Sequence, residues 1–95
     1  MSLQERLADF AGALTSATDA PDGYPEWGYV TYESNMVDLK ELWSEIRQKL
    51  KRDQDKVPFI DEKLQEAFVA FDAGEKEKGV DAILAVYNLG VKKLR

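Results

Sequence analysis

Apolar residues recur at Leu3, Leu7, Phe10, Ala11 and Leu14, the spacing that keeps side chains on one stripe of a helix, and this predicts a helix ending near Ala17. Ser2 and Glu5, three residues apart at its start, fit a capping box. A second stripe, Met36, Leu39, Leu42, Trp43, Ile46 and Leu50, predicts another helix opened by Ser34 or Asn35. The third begins around Pro58, a residue suited to a first helical turn, carries Ile60, Leu64, Ala67, Phe68 and Phe71 inward, and stops at Gly74. The fourth starts about Glu75 with Val80, Ile83, Leu84, Tyr87, Val91 and Leu94 facing in, and Gly90 marks a kink or a frayed end. Only a turn around Gly74 separates the last two helices, so they must fold back as an antiparallel hairpin. The centre of the core is expected at Leu42, Trp43, Ile46, Leu64, Phe68, Phe71, Ile83, Leu84 and Tyr87, each placed mid-stripe.

Between the first and second helices the helical period disappears. Residues 19–35 read "DAPDGYPEWGYVTYESN", with Pro21, Gly23, Pro25 and Gly28 punctuating four aromatic rings: Tyr24, Trp27, Tyr29 and Tyr32. Proline presets φ and glycine accepts turn conformations, so this is loop chemistry. "YVTY" alternates and is rich in β-formers, which predicts one short strand over 29–32. Nothing else in the chain reads as a strand to pair with it. Its open backbone groups favour a homodimer, in which a second copy supplies the missing pairing.

The expected architecture is therefore all-α: a four-helix domain spanning residues 1–95, with an extended aromatic loop between its first two helices. Ninety-five residues permit one core. A composition of 44% hydrophobic and 33% charged residues places the chain among globular proteins and away from disordered ones. The longest apolar run, Ala82 to Tyr87, falls far short of the roughly 20 residues a membrane span needs. Glu5, Arg6 and Asp9 interrupt the N-terminal stretch where a signal peptide would need apolar residues, and cysteine is absent. A cytoplasmic location is the expectation, with no contact to membranes.

The chain has neither histidine nor cysteine. Structural zinc, imidazole base catalysis, thiol nucleophiles, haem ligation by histidine and iron–sulfur clusters thereby lose their usual ligands. Asp38, Glu41 and Glu45 share one helix face and Asp61, Glu62 and Glu66 another, the residue type that could hold a divalent metal and a phosphate substrate. The second set flanks an apolar stripe, so a solvated face is the simpler reading of both. Neither a metal nor a cofactor is expected. The basic run Arg47 to Lys56 is interrupted by Asp53 and Asp55 and holds no aromatic residue to stack on bases, while cations at a helix C-terminus complement its dipole anyway. Nucleic acid is not the expected partner.

Two local likenesses lead no further. "AFDAGEKEKGVDAILAVYNL" resembles the helical hairpin of tetratricopeptide-type repeats, but it occurs once and such arrays need about three stacked units. The order of strand and two helices from Tyr29 is similar to that of ribbon-helix-helix DNA-binding dimers, whose strands carry polar or basic residues where this one reads "YVTYE".

Charge is distributed unevenly. Up to residue 46, Arg6 and Lys40 stand against nine acids, whereas residues 47–95 hold eleven cations and nine acids within a total of −5. The aromatic segment lies in the acidic half. Two readings of it stay open: the rings seal one end of a small bundle, or they form an interface, with half facing in and half facing out also consistent. The functional expectation is a non-enzymatic interaction domain, an acidic adaptor, inhibitor or regulatory subunit. Tyr24, Trp27, Tyr29 and Tyr32 with Asp22, Glu26 and Glu33 would then bind a basic protein surface. The alternative is a phosphate-handling helical domain built on the carboxylates and a divalent metal.

Overall fold

Ser2 accepts the Glu5 N–H at 3.2 Å and opens the first helix, α1, Leu3–Ala17. In the computed structural model, which describes residues 2–95, three more helices follow: α2, Tyr32–Lys49, α3, Val57–Asp72, and α4, Lys76–Tyr87. Short 3-10 turns occupy Gln54–Lys56 and Val91–Lys93, and no strand occurs among the described residues.

The expected strand at 29–32 is replaced by the start of α2. Thr31 and Ser34 form a reciprocal capping box: the Thr31 hydroxyl accepts the Ser34 N–H at 3.1 Å and the Ser34 hydroxyl accepts the Thr31 N–H at 2.9 Å. Two helix-end amides satisfied at once outweigh the β-preference of Val30, Thr31 and Tyr32. The argument for a strand-paired dimer goes with the strand.

Side-chain contacts fix the directions of the helices. Arg6 meets Glu45 and Ala13 meets Asn35, so α1 and α2 run antiparallel. Trp43 and Arg47 meet Asp61 near the start of α3, while Tyr32 meets Asp72 at its end, so α2 and α3 also run antiparallel. The α3–α4 turn is a Schellman motif: Gly74, at φ +77°, donates to Phe71 O and Glu75 donates to Ala70 O. α1 packs against α4 and the 3-10 turn after it, closing a four-helix up-and-down arrangement.

One core joins both hairpins. Leu7, Phe10, Leu14, Leu39, Ile46, Ile60, Ile83, Val86 and Val91 are all but sealed from water, and Phe10 stacks on Trp43 with ring centroids 5.7 Å apart. Of the residues expected at its centre, Trp43, Ile46, Leu64, Phe71 and Ile83 are buried, whereas Leu42 and Phe68 pack at its edge. Leu84 and Tyr87 are exposed, which corrects the α4 assignment. The inward face of α4 is Gly79, Ala82, Ile83 and Val86, one residue behind the stripe drawn through the larger side chains. Gly79 shows why: a Cβ there would lie 2.3 Å from the Phe71 ring. The absence of a side chain at Gly79 leaves room for the Phe71 ring against α4, and the bulky residues flank it.

α4 ends at Tyr87, and Gly90 at φ +76° redirects the chain so that Val91 and Leu94 reach the core from a separate turn. The chain then closes on the α2–α3 loop. Arg95 O accepts the backbone N–H groups of Lys51, Arg52 and Asp53 at 2.9–3.1 Å, and Arg95 N–H donates to Asp53 Oδ2 at 2.8 Å. Asp53 Oδ1 also takes the Lys56 ammonium at 2.7 Å. That hydrogen bond first, and the Arg95 amide second, hold the Asp53 carboxyl below the ordinary aspartate range, and the same pairing raises Lys56. The clasp is therefore complete at neutral pH. It loosens as acid protonates Asp53 below its lowered pKa, and as alkali discharges Lys56 above its raised one.

Candidate interaction surface

Residues 18–31 leave α1 through successive turns. Asp19 donates to Ser16 O and Ala20 to Ala17 O, and Ala20 is sealed in the core ahead of a cis bond to Pro21. Gly23 N–H donates to Asp19 O at 2.7 Å, and a Cβ at Gly23 would lie 2.8 Å from that same oxygen, so this turn admits only glycine without rearrangement. A second turn, closed by Gly28 N–H to Pro25 O at 3.1 Å, carries Glu26 and Trp27 at its tip.

The four rings divide evenly between inside and outside. Tyr24 points in, and its hydroxyl donates to Asn35 Oδ1 at 2.7 Å. Asn35, 2% exposed, in turn donates through Nδ2 to Ala13 O at 3.0 Å. One buried amide thus joins the loop, α1 and α2. Burial chiefly, then the negative charge of Asp19 and the neighbouring Tyr32, pushes the Tyr24 phenol up to about 12. Tyr32 also points in: its ring meets Phe71 edge-on at 6.2 Å, and its hydroxyl donates to Asp72 Oδ1 at 3.0 Å. Burial and that bond raise its pKa as well.

Trp27 and Tyr29 point out, 87% and 100% exposed, with Val30 at 41% beside them. Glu26 and Glu33 are exposed near the rings, Glu33 in the first turn of α2 where the helix dipole favours an acid. Asp22 lies 3.7 Å from Lys76, a pair open enough to water to contribute little to the fold. From Val30 the surface runs into a groove of about 500 Å³ between α1 and α2, lined by Asp9, Gly12, Asp38, Glu41 and Glu45 among others. Its one cation, Arg6, lies 2.9 Å from Glu45, a contact of charges rather than an aligned hydrogen bond.

The two carboxylate sets named in the sequence lie apart. Asp38, Glu41 and Glu45 line the α1–α2 groove, while Asp61 lies between α2 and α3, where it accepts the Trp43 indole N–H at 2.7 Å and pairs with Arg47 at 3.1 Å. Among the described residues no three carboxylates converge on a metal-sized site, and no helix is long and apolar enough to cross a membrane.

Sequence reasoning gave Asn35 only as a helix cap and missed its part in orienting the loop. The signal was present: Asn35 stands one turn before Leu39 on the apolar stripe of α2, and a polar side chain carried inward by such a stripe needs partners. Searches against protein-family models, curated proteins and solved structures each return no match for this chain.

Proposed function

We propose that the chain is a non-enzymatic interaction domain, a small acidic adaptor, inhibitor or regulatory subunit, that binds a basic protein surface through the loop at residues 18–31. The observation that carries this reading is the division of the rings. Tyr24 and Tyr32 are tied to Asn35 and Asp72, and between them Trp27 and Tyr29 are held out into water. Tryptophan and tyrosine are the residues that anchor interfaces, and a pre-ordered display lowers the entropy lost on binding. The acids support a basic partner. Asp22, Glu26 and Glu33 surround the rings, and the groove reached through Val30 adds Asp9, Asp38 and Glu41. Complementary charge of this kind mainly speeds encounter and selects the partner.

The test is parallel affinity capture from the source lysate on the wild-type chain and on Trp27→Ala/Tyr29→Ala, with circular dichroism verifying that both are folded. A basic protein retained by the wild type should lose about 2 kcal/mol or more of binding free energy when its anchor is removed. Charge removal at Glu26 should slow association and flatten its salt dependence. Equal retention of every captured protein by both forms would dismiss the loop as the interface.

A further inference from the structure

The aromatic loop occupies one end of the molecule, and the other end is its chemical opposite. Antiparallel packing of α1 and α2 puts residues 18–31 at one pole and Leu3, Lys49 and the 50–53 loop at the other, roughly 27 Å away at 1.5 Å per residue along α2. At that far pole a cleft of about 510 Å³ is lined by Leu3, Lys49, Lys51, Arg52 and Arg95. Lys92 and Lys93 are exposed just before Arg95. The clasp of Arg95 O on three successive amides holds the two cationic segments side by side. Asp53, next to Arg52 in the chain, is engaged by Lys56 and the Arg95 amide.

We infer that the basic surface which the loop recognises belongs to a second copy of this chain: the Trp27–Tyr29 loop of one molecule seats in the cationic cleft of the next. This rests on the reading of the loop as a partner-facing surface, and adds who the partner is. The charges match. Exposed rings among carboxylates meet a cleft lined by Leu3 and by cations, where Arg52 and Arg95 can stack on an aromatic face as cation–π partners. Because the poles lie at opposite ends, the contact is head-to-tail. Each docking leaves one free loop and one free cleft, so addition continues as an open chain unless rotation closes a ring.

Light scattering on the full chain and on two single-pole variants tests this. Trp27→Ser/Tyr29→Ser disables the loop. Lys51→Glu/Arg52→Glu disables the cleft, while the Arg95 clasp is left in place because it uses only the backbone at 51 and 52. Wild-type mass should rise with concentration above the 10.8 kDa of one chain. It should fall back near 1 M salt, where the screening length drops to about 3 Å. Each variant alone should stay at the single-chain mass, with self-affinity reduced at least tenfold. Mixed in equal amounts they should form two-chain complexes and nothing larger, since each retains one working pole. Should Lys51→Glu/Arg52→Glu melt early, Lys92→Glu/Arg95→Glu replaces it. A wild type that stays at single-chain mass at millimolar concentration and low salt overturns the inference, and so does association that the loop variant preserves. A decalysine peptide, followed by Trp27 emission, separates the two levels. If it binds the wild type but not the loop variant while no self-association occurs, the second copy is excluded and the basic-partner reading stands. If it binds neither and no self-association occurs, both fall.

Discussion

The two helical hairpins of this molecule reverse direction by different means. Between α3 and α4 the chain turns through Ala73, Gly74 and Glu75, closed by the two Schellman hydrogen bonds and one left-handed glycine. Between α1 and α2 it takes the whole of residues 18–31. Helix–helix connections ordinarily need about two to eight residues, so the reversal itself does not explain the longer one. The difference lies in what each hairpin closes around. Gly79 lets Phe71 press directly against α4, and that hairpin takes no ring from its own turn. The first hairpin instead borrows Tyr24 from its loop to cover Asn35, and this anchoring permits the same loop to hold two further rings in water. A short turn serves the fold alone, whereas the long one serves the fold with one half and the surface with the other.

That contrast can be broken most forcefully at Phe71, which is 3% exposed and shared by the α3–α4 crossing and the edge contact with Tyr32. Phe71→Ala should lower stability by about 3–5 kcal/mol, read from the denaturant midpoint, through lost burial and a residual cavity. A loss no larger than that caused by loop substitutions would mean that the tight hairpin is not the firmer of the two.

Asn35→Ala should come next, at about 1–3 kcal/mol, because it strands the half-buried Tyr24 hydroxyl and withdraws a donor from Ala13 O. Limited proteolysis should then cut within 18–31 sooner than in the wild type, while the 73–75 turn stays resistant. Equal sensitivity of both turns would show that Asn35 does not hold the loop.

Tyr24→Phe sharpens the same point with a smaller effect, about 1 kcal/mol near neutral pH. Its pH dependence has a definite sign. The folded phenol titrates near 12, chiefly through burial, against 10 for the ordinary group. The fold thus requires the neutral form, and the contribution of Tyr24 is intact below pH 10 and lost as pH climbs from 10 to 12. The wild type should lose its advantage over the variant within that interval and fall below it toward pH 12, and a constant separation would contradict the inward placement. The smallest effect belongs to the outward half. Trp27→Ala/Tyr29→Ala should leave stability within about 0.5 kcal/mol of wild type, and a larger loss would make those rings part of the lid.

Most of the helical frame was legible because it depends on local rules. The stripe of α1, Pro58 at the start of α3, and Gly74 at its end each follow from the chain within one or two turns. What was misread depended on contacts across the fold. Reading Leu84 and Tyr87 as core follows from a helical stripe drawn through the larger side chains, whereas the face of α4 that is buried includes Gly79, against which the Phe71 ring packs. The strand at 29–32 follows from residue preference, which the Thr31–Ser34 capping box overrode. The loop was legible as aromatic and acidic, but the division into inward Tyr24 and Tyr32 and outward Trp27 and Tyr29 required Asn35 and Asp72, which are distant partners. The cationic cleft was hidden for the same reason, since Leu3, Lys51 and Arg95 meet only after folding.

The Arg95 clasp has a consequence for hydrogen exchange. Loop amides usually trade their protons with water readily, yet those of Lys51, Arg52 and Asp53 all point at one oxygen carried by a residue 42 positions further along than Asp53. None of the three can exchange from the folded arrangement until the segment after Gly90 lifts away, and a single lifting releases all three together. Protection measured in the α2–α3 loop therefore reports the opening of the final turn, and the two stretches form one cooperative unit despite their distance along the chain.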